Sequence, residues 1–437
     1  MFFRGQRKGN ALMSVINSSD VYKIICKTLN TVCAKVMRHS QIVGYTLFKM
    51  LQYENEYSLE DIIDYTMIGI LHDIGLYKTE ITGRLADYEL NNVWDHSVYG
   101  YLFLRYLSPL QDKADVVLYH HLDFNKYSQI QSDHLKVCAH LAYADKIDTY
   151  HRLHKTGMPV PRIYFEEQKN IAFSARSQHV FELADEKYRI NAKIKDGSYL
   201  KELDALLGLR KFKEAEIRDF LKMLIYTIDF QSEVTVLHTL ATTTFATELA
   251  KLMHLSPSEA EDLYYGALLH DIGKIMIPVS ILESPNRLEE AEMEVMRTHV
   301  LHTEAILKGV VNKTVLDIAI RHHEKLDGSG YPNGYSGDQL TKPQRIVAVA
   351  DILSALYQKR SYKDSYELST IAKIIKDEAM NGKLCPQVVA TTIKNMNQIM
   401  IYFESQREET MGIYMKIKEQ FDIIYARFKE FENNTEE

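Results

Sequence analysis

The sequence EDIIDYTMIGILHDIG (residues 60–75) has a counterpart in EDLYYGALLHDIGK (residues 261–274), and both contain the tetrapeptide His-Asp-Ile-Gly. In each copy the large apolar side chains before the histidine recur with the spacing of an α-helix. The sequence therefore predicts that each His-Asp pair lies at the end of a buried helix. The glycine two residues after each aspartate, Gly75 or Gly273, is predicted to end that helix in the left-handed conformation.

The composition favours an all-α fold. The chain of 437 residues contains only 19 glycines and 9 prolines, so long segments lack residues that end a helix. Its length is enough for two domains, since single domains usually contain about 100 to 200 residues. The repeated tetrapeptide indicates that these domains are related by internal duplication. We predict two tandem helical domains followed by a C-terminal amphipathic helix.

Histidine and aspartate residues outside the tetrapeptide extend the repeat. The first copy contains His39, His72, Asp73, His96, His120, His121 and Asp145. The second copy contains, in the same order and at similar spacings, His238, His270, Asp271, His299, His322, His323 and Asp351. Random placement would not gather ten of the 17 histidines into one pattern. The remaining seven are predicted to be structural or exposed: His134, His140, His151, His154, His179, His254 and His302.

The repeat also sets the predicted domain boundaries. Residues 1–18 form an N-terminal segment, residues 19–205 the first domain, residues 206–403 the second domain, and residues 404–437 the C-terminal helix. In this helix, apolar side chains recur at alternating spacings of three and four, as in one seam of a coiled coil. The seam consists of Tyr414, Ile417, Phe421, Ile424, Phe428 and Phe431. It either packs against its own domain or forms a homodimer.

Imidazole and carboxylate side chains in this pattern suit divalent transition metals as ligands. The four cysteines are scattered, which disfavours an iron–sulfur cluster and a structural zinc site. An aspartate beside a histidine can bridge two cations about 3.5 to 4 Å apart, an arrangement that activates hydroxide and holds a phosphoryl oxygen. Asp271 is the predicted bridging residue. A single histidine on its own would more often be structural than a ligand, and the prediction rests on the whole set.

The second repeat resembles the HD-GYP phosphodiesterases of the HD superfamily of metal-dependent phosphohydrolases. The resemblance rests on LLHDIGKIMIP (268–278), HHEKLDGSGYP (322–332) and RIVAVADILSAL (345–356), followed by RSYK (360–363). The second of these segments contains the Gly-Tyr-Pro for which the family is named. An HD domain followed by an HD-GYP domain, at this length, looks especially like the bacterial phosphodiesterases that degrade 3′,3′-cyclic GMP-AMP.

The resemblance implies hydrolysis of a cyclic dinucleotide, preferentially 3′,3′-cyclic GMP-AMP, to a linear dinucleotide. Two divalent transition metal ions, iron or manganese, would be held by the seven histidine and aspartate residues of the second copy. Asp271 and Lys274 would act in catalysis, where the Lys274 ammonium can neutralise charge on a phosphoryl oxygen. Tyr331, Arg360 and Lys363 would bind the substrate phosphates.

Several positions depart from the family pattern. Val234 stands where some members have a glutamate that holds a third metal, so we expect two metals. Ala241, Thr303 and Ser354 replace, in turn, an arginine, a glycine and the second aspartate of a D-x-x-D motif. None of these changes removes an implied ligand, but they leave the preference between cyclic dinucleotides open.

The first copy departs further. Leu76 occupies the position of Lys274, and HHLDFNKYSQI (120–130) lacks Gly-Tyr-Pro. All seven ligand positions are nevertheless histidine or aspartate, so the first domain has a candidate metal site of its own. A metal-loaded regulatory domain and a purely structural domain are both consistent with this pattern, and independent catalysis is disfavoured.

Other functions stay open at this point. The chain could be a cyclic di-GMP phosphodiesterase, or a sensor that binds the dinucleotide without cleaving it. The complete ligand set and Lys274 favour an enzyme in the second domain. A hydrolase of mononucleotides is disfavoured by the GSGYP loop together with Arg360 and Lys363.

Charge and hydropathy indicate which binding partners and which cellular compartment the sequence favours. A net charge of −7 and a pI near 6.2 argue against binding to duplex nucleic acid, which requires many phosphates to be neutralised. Scattered cysteines, together with no secretion signal and no apolar run of about 20 residues, predict a cytoplasmic protein that does not enter the membrane.

Overall fold

The computed structural model describes residues 15–78, 93–154, 166–230, 233–282, 284, 286–358 and 366–433. Over these residues the regular structure is helical, with two isolated bridges instead of strands. The all-α prediction is confirmed. No described helix is long and apolar enough to cross a membrane.

The first half of the chain is a bundle in which the second helix packs against the third and the sixth. In chain order its α-helices are α1 (Ser18–Val32), α2 (Ala34–Glu54), α3 (Leu59–Leu71), α4 (Val93–Leu107), α5 (Asp115–Leu118), α6 (Leu135–His154), α7 (Ala175–Tyr188), α8 (Ile190–Asp196) and α9 (Tyr199–Leu207). Its 3-10 turns are Ile74–Lys78, Gln111–Lys113 and Phe124–Gln129.

The second half repeats this arrangement and ends in one long helix. Its α-helices are α10 (Glu214–Asp229), α11 (Glu233–Leu252), α12 (Pro257–Leu269), α13 (Val279–Leu282), α14 (Glu290–Arg297), α15 (His299–Leu307), α16 (Lys313–Ile320), α17 (Lys342–Gln358), α18 (Leu368–Met380), α19 (Pro386–Lys394) and α20 (Met396–Asn433). Its 3-10 turns are Ile272–Met276 and Gly337–Gln339. The last helix begins before residue 404, where the sequence placed its start.

Helices α3 and α12 occupy equivalent places and lead to the two His-Asp pairs. Each contains 13 residues, and each begins at a serine, Ser58 or Ser256, whose side chain accepts a hydrogen bond from a backbone N–H of the first turn. Each ends at the histidine of the tetrapeptide, His72 or His270. The prediction that the His-Asp pairs terminate buried helices is confirmed.

The prediction of left-handed tetrapeptide glycines is wrong, because neither Gly75 nor Gly273 has a positive φ. Both lie in 3-10 turns that press against the backbone of the next histidine-bearing helix. A Cβ atom on Gly75 would lie 2.1 Å from the carbonyl oxygen of His96, and one on Gly273 would lie 2.1 Å from that of His299. Glycine is required here for close approach between two backbone segments.

Helices α1 and α10 each cross onto the opposite domain. Helix α1, at the start of the first repeat, packs against the turn Ile272–Met276 and α15 of the second domain. Helix α10, at the start of the second repeat, packs against the turn Ile74–Lys78 and α4 of the first domain. The Lys27 ammonium adds a 2.7 Å hydrogen bond to the carbonyl oxygen of Lys308. Each His-Asp turn is therefore covered by a helix from the other half of the chain.

The C-terminal part of α20 lies along the first domain. Phe421 stacks on Tyr99 with ring centroids 4.0 Å apart, and Phe428 stacks on Trp94 at 4.5 Å. All six residues of the predicted seam join this core: Tyr414, Ile417 and Phe428 are buried, and Phe421, Ile424 and Phe431 are partly buried. The seam thus packs within the chain, with the first domain rather than the second as its main partner. A homodimer through α20 stays a prediction.

Replacing Phe428 with alanine is expected to lower the free energy of unfolding by about 3 kcal/mol, the usual cost of removing a buried phenyl ring. Urea unfolding should be followed by tryptophan fluorescence, because Trp94 is the only tryptophan in the chain. The matched control is Ile423→Ala on the exposed side of the same helix, which should change stability by less than about 0.5 kcal/mol. Equal effects of the two changes would contradict the observed packing of α20.

Candidate metal centre

Two triads of ligand-type side chains meet in the second domain. His238, His270 and Asp351 form one triad, and His299, His322 and His323 form the other; within each, the ligand atoms lie within 4.8 Å of one another. The residues come from α11, α12, α15, α17 and the segment after α16. Together with Asp271, which groups with His270 and His322, the structure brings together all seven residues that the sequence singled out in this copy.

Asp271 lies between the triads and presents one carboxylate oxygen to each. Its Oδ2 atom is 3.3 Å from His238 Nε2 and 3.0 Å from His270 Nε2. Its Oδ1 atom is 3.4 Å from His299 Nε2 and 3.8 Å from His322 Nε2. A carboxylate with this placement is able to bridge two cations, one in each triad.

Backbone carbonyls orient three of the imidazole rings. The Nδ1 atoms of His270, His299 and His322 lie 2.7, 2.6 and 2.6 Å from the carbonyl oxygen three residues earlier in the chain. If each Nδ1–H donates to its carbonyl, the Nε2 lone pair faces the centre of the site. The backbone therefore fixes the orientation of these rings and favours the tautomer that a metal requires.

Ser354 orients the ring of His238. It does so from the position where the family pattern has the second aspartate of the D-x-x-D motif. Its hydroxyl donates to the carbonyl oxygen of His238 at 3.1 Å and lies 3.0 Å from His238 Nδ1, from which it can accept. In the first domain the corresponding contact is made by a carboxylate, since Asp148 Oδ2 lies 2.6 Å from His39 Nδ1. A neutral hydroxyl and a carboxylate thus hold equivalent histidines in the two copies.

The electrostatics of the centre keep the carboxylates ionised and favour neutral imidazoles at His322 and His323, whereas the carboxylates beside His238 favour its charged form. Burial lowers the pKa of His323 to about 3, and burial together with neighbouring imidazoles holds the pKa of His322 well below its usual range. The surrounding histidines and Lys274 outweigh burial at Asp271 and keep the pKa of its carboxyl low. At His238, burial opposes the hydrogen bonds with Asp271 and Asp351, which prevail and raise its pKa to about 9.

These residues fit a pair of divalent transition metal ions. Within the described part of the chain, His270 Nε2 and Asp271 Oδ1 are buried without a hydrogen-bond partner. Buried polar atoms in that state are costly unless an ion or water satisfies them. Neutral imidazole nitrogens and carboxylate oxygens are also the donor set that iron, manganese and zinc accept.

Lys274 reaches the centre from the 3-10 turn that follows His270. Its Nζ atom lies 2.5 Å from Asp271 Oδ2, the oxygen that faces His238 and His270. Burial lowers its pKa, but the charge of Asp271 outweighs burial and raises the pKa overall. The ammonium is therefore charged at neutral pH.

The GSGYP loop is anchored by Glu324, a residue that was part of the recognised segment but had no assigned role. Its buried carboxylate accepts backbone hydrogen bonds from Asn333 at 2.8 Å and from Tyr335 at 3.0 Å. Gly330 packs so closely that a Cβ atom would lie 2.5 Å from the Cα atom of Glu324. The loop places the Tyr331 ring 4.6 Å from the His323 ring, at the edge of the centre.

Three positions from the sequence analysis fall outside this description. Arg360 and Lys363, which the resemblance implies as phosphate-binding residues, lie outside the described residues, as does the side chain of Val234.

No feature of the sequence indicated a role for Asp229, at the end of α10. Its buried carboxylate accepts from Thr239 at 2.9 Å, and burial raises its pKa to about 6.

The first domain contains the same constellation. His39, His72 and Asp145 form one group, and Asp73 joins His96, His120 and His121 in the other. Asp73 Oδ2 lies 3.3 Å from His72 Nε2 and its Oδ1 lies 3.5 Å from His96 Nε2, so this carboxylate also faces both groups. Leu76, at the position of Lys274, is buried and brings no charge.

The first centre is less accessible than the second. The His39 side chain has no exposed area and that of His121 is 14% exposed, whereas the equivalent His238 and His323 are 12% and 27% exposed. Of the remaining histidines, His140 is structural, with hydrogen-bond contacts to Ser177 and Glu54.

Comparison with known proteins agrees with this geometry. Residues 36–185 and residues 222–388 each match a family model described as an HD domain. The chain therefore contains two HD domains in tandem, which together span most of its length.

The chain is similar in sequence to two bacterial phosphodiesterases. The chain is 28% identical over 413 residues to "3′3′-cGAMP-specific phosphodiesterase 1" of Vibrio cholerae, covering 88% of this chain and 93% of that protein. It is 37% identical over 155 residues to the "Cyclic di-GMP phosphodiesterase response regulator RpfG" of Xanthomonas campestris, covering 35% of this chain and 40% of that protein.

A solved structure has the same fold. The crystal structure of a cyclic GMP-AMP-specific phosphodiesterase from Vibrio cholerae matches with a TM-score of 0.54 and 19% identity, covering 87% of this chain and 98% of that chain. This likeness extends over both HD domains, so the tandem arrangement is shared.

Replacing Glu324 with glutamine is expected to loosen the GSGYP loop. A glutamine offers one acceptor oxygen where the carboxylate offers two, and a lost hydrogen bond to a charged group costs about 1.5 to 3 kcal/mol. Hydrogen exchange at Asn333 and Tyr335 should therefore accelerate by at least about tenfold. The control is Glu259→Gln, which alters a carboxylate that accepts a backbone hydrogen bond from Ser256 at the start of α12. Unchanged exchange in the Glu324 variant would contradict its anchoring role.

Proposed function

We propose that the chain is a metal-dependent phosphodiesterase that opens a cyclic dinucleotide, preferentially 3′,3′-cyclic GMP-AMP, to a linear dinucleotide in its second domain. The observation that supports this most is the placement of Asp271, with one oxygen facing each histidine-containing triad. That geometry is suited to two-metal hydrolysis of a phosphodiester.

The seven residues of the second copy would hold the metals: His238, His270, Asp271, His299, His322, His323 and Asp351. Two iron or manganese ions bound there would supply an activated water and a clamp on a phosphoryl oxygen. The protein contributes fixed ligand orientation, because backbone carbonyls and Ser354 hold the rings before any ion arrives.

Lys274 and Tyr331 would act on the substrate directly. The Lys274 ammonium lies beside Asp271 and is partly exposed, so it can turn to a non-bridging phosphate oxygen and stabilise its charge as the bond breaks. Tyr331 is held at the edge of the centre by the Glu324-anchored loop and can contact the same phosphate. Arg360 and Lys363 remain proposed contacts of the substrate phosphates.

The relatives support cyclic GMP-AMP as the preferred substrate over cyclic di-GMP. A relative named for cyclic GMP-AMP aligns over 88% of this chain, whereas two relatives named for cyclic di-GMP align over 35% and 48% of it. Cyclic di-GMP hydrolysis is the second candidate, and it would use the same centre.

The first domain is proposed to serve regulation or stability. It has both groups of ligand-type residues, but Leu76 cannot supply charge to a phosphate, and the centre is less exposed than its counterpart. A cytoplasmic location is consistent with the use of a cytoplasmic second messenger as substrate.

Replacing Asp271 with alanine is expected to reduce turnover by at least about a hundredfold, since even changes behind the ligands of a metal site cost about 10- to 100-fold. Turnover should be measured by chromatography of the products with iron or manganese in excess, and circular dichroism should be unchanged. The matched control is Asp73→Ala in the first domain, expected to lower turnover less than tenfold. Loss of all turnover in the Asp73 variant, with the fold retained, would move the active site to the first domain.

Competition between the two dinucleotides in one reaction measures the substrate preference. The ratio of kcat/KM values is expected to favour 3′,3′-cyclic GMP-AMP by about tenfold, because one unpaired buried polar group against the wrong base costs about 1 to 3 kcal/mol. A ratio in favour of cyclic di-GMP would reverse the preference and leave the phosphodiesterase proposal standing.

A further inference from the structure

A guanidinium group lies at the rim of the second centre, beyond Tyr331. Arg297 is the last residue of α14, two residues before His299. Its guanidinium carbon lies 5.7 Å from the centre of the Tyr331 ring, and that ring lies 4.6 Å from the His323 ring. The three planar groups form a path from the ligand set to the surface.

The Arg297 side chain is able to bind an anion. It is 45% exposed, and its described ion pair is a 3.5 Å contact with Glu290, which is itself 80% exposed and therefore contributes little. A contact with an aromatic ring does not use the N–H donors of a guanidinium, so those of Arg297 can still bind an anion. Those donors suit a phosphate, which accepts two parallel hydrogen bonds from arginine.

A cyclic dinucleotide carries two phosphodiester groups in one ring, and a single metal centre acts on one of them. We infer that Arg297 binds the second phosphate of the substrate while Tyr331 separates it from the reacting phosphate. This role rests on the proposed function. Arg297 would favour substrates that carry two phosphates over those that carry one. Arg297 is thus a specificity-determining residue, distinct from the groups that act on the reacting bond.

The test measures binding of 3′,3′-cyclic GMP-AMP by calorimetry in the Asp271→Ala background, in which hydrolysis is expected to be at least about a hundredfold slower. Adding Arg297→Ala should raise Kd by about tenfold, the loss expected for a charge-assisted hydrogen bond at a partly exposed site. Arg297→Lys should give an intermediate Kd, because lysine keeps the positive charge but lacks the paired, planar N–H donors of the guanidinium. Raising the salt concentration should weaken binding less in the alanine variant than in its parent.

Turnover of bis(4-nitrophenyl) phosphate, which carries one phosphate, separates this role from a structural one. Arg297→Ala alone should leave kcat/KM for this diester unchanged. Arg218→Ala is the matched control, since Arg218 lies over the Tyr264 ring at 4.4 Å in another part of the domain; it should change neither measurement.

An unchanged Kd in the Arg297→Ala variant would overturn the inference, as would an equal loss on the one-phosphate diester. A tenfold rise in Kd that does not depend on salt would indicate stacking on a base and would overturn the phosphate assignment. The proposed function is tested separately: it fails if the unmodified chain does not hydrolyse a cyclic dinucleotide. The comparison of Kd values tests the role of Arg297 whether or not the bound dinucleotide is hydrolysed.

Discussion

The close contact between the His-Asp turn and the helix behind it determines the rest of the site. Gly273 lies against the carbonyl oxygen of His299 with no room for a Cβ atom, and Gly75 does the same against His96. This approach places the aspartate of the turn within 3.5 Å of a histidine on the next helix. A side chain at the glycine would push the two segments apart, and one carboxylate could no longer face both ligand groups. In the second domain, Thr303 ties the same segments together by accepting from the backbone of Gly273 and donating to His270.

The features that could be predicted from the sequence are those with a local or repeated signal. Helical periodicity located the helices before each His-Asp pair, and the duplicated spacing identified fourteen ligand-type residues that the structure gathers into two centres. The role of the tetrapeptide glycines was predicted wrongly, because a helix end and a close backbone approach both call for glycine. The contacts of α20 with the first domain could not be predicted. Its apolar seam indicates that the helix packs against another surface, but the seam does not identify that surface. Glu324 lies in the segment that carries the resemblance, but its anchoring role depends on backbone N–H groups that only the folded loop brings to it. The position of Arg297 beside Tyr331 likewise depends on the fold and has no signal in the sequence.

The two domains keep the ligand residues and differ around them. The lysine beside the bridging carboxylate is a buried leucine in the first domain, and the GSGYP loop is present only in the second copy of the sequence. Ser354 and Asp148 perform the same orienting task with different charge. What separates the copies is therefore access and the groups that meet a substrate, while the framework that would hold metal ions is common to both. Under the proposed function, divergence of this kind would leave the first domain with residues that can hold ions but without the groups that act on a phosphodiester.

The crossing of α1 and α10 has the form of domain swapping within a single chain. Each repeat begins with a helix that lies on the other repeat, as in a dimer whose subunits have exchanged one identical element. Here a covalent connection between the repeats makes the exchange permanent and independent of concentration. A second-domain fragment that begins at the boundary between the repeats would lack α1, one of the two helices that pack against its His-Asp turn. Only the tandem as a whole keeps every helix that packs against the two His-Asp turns.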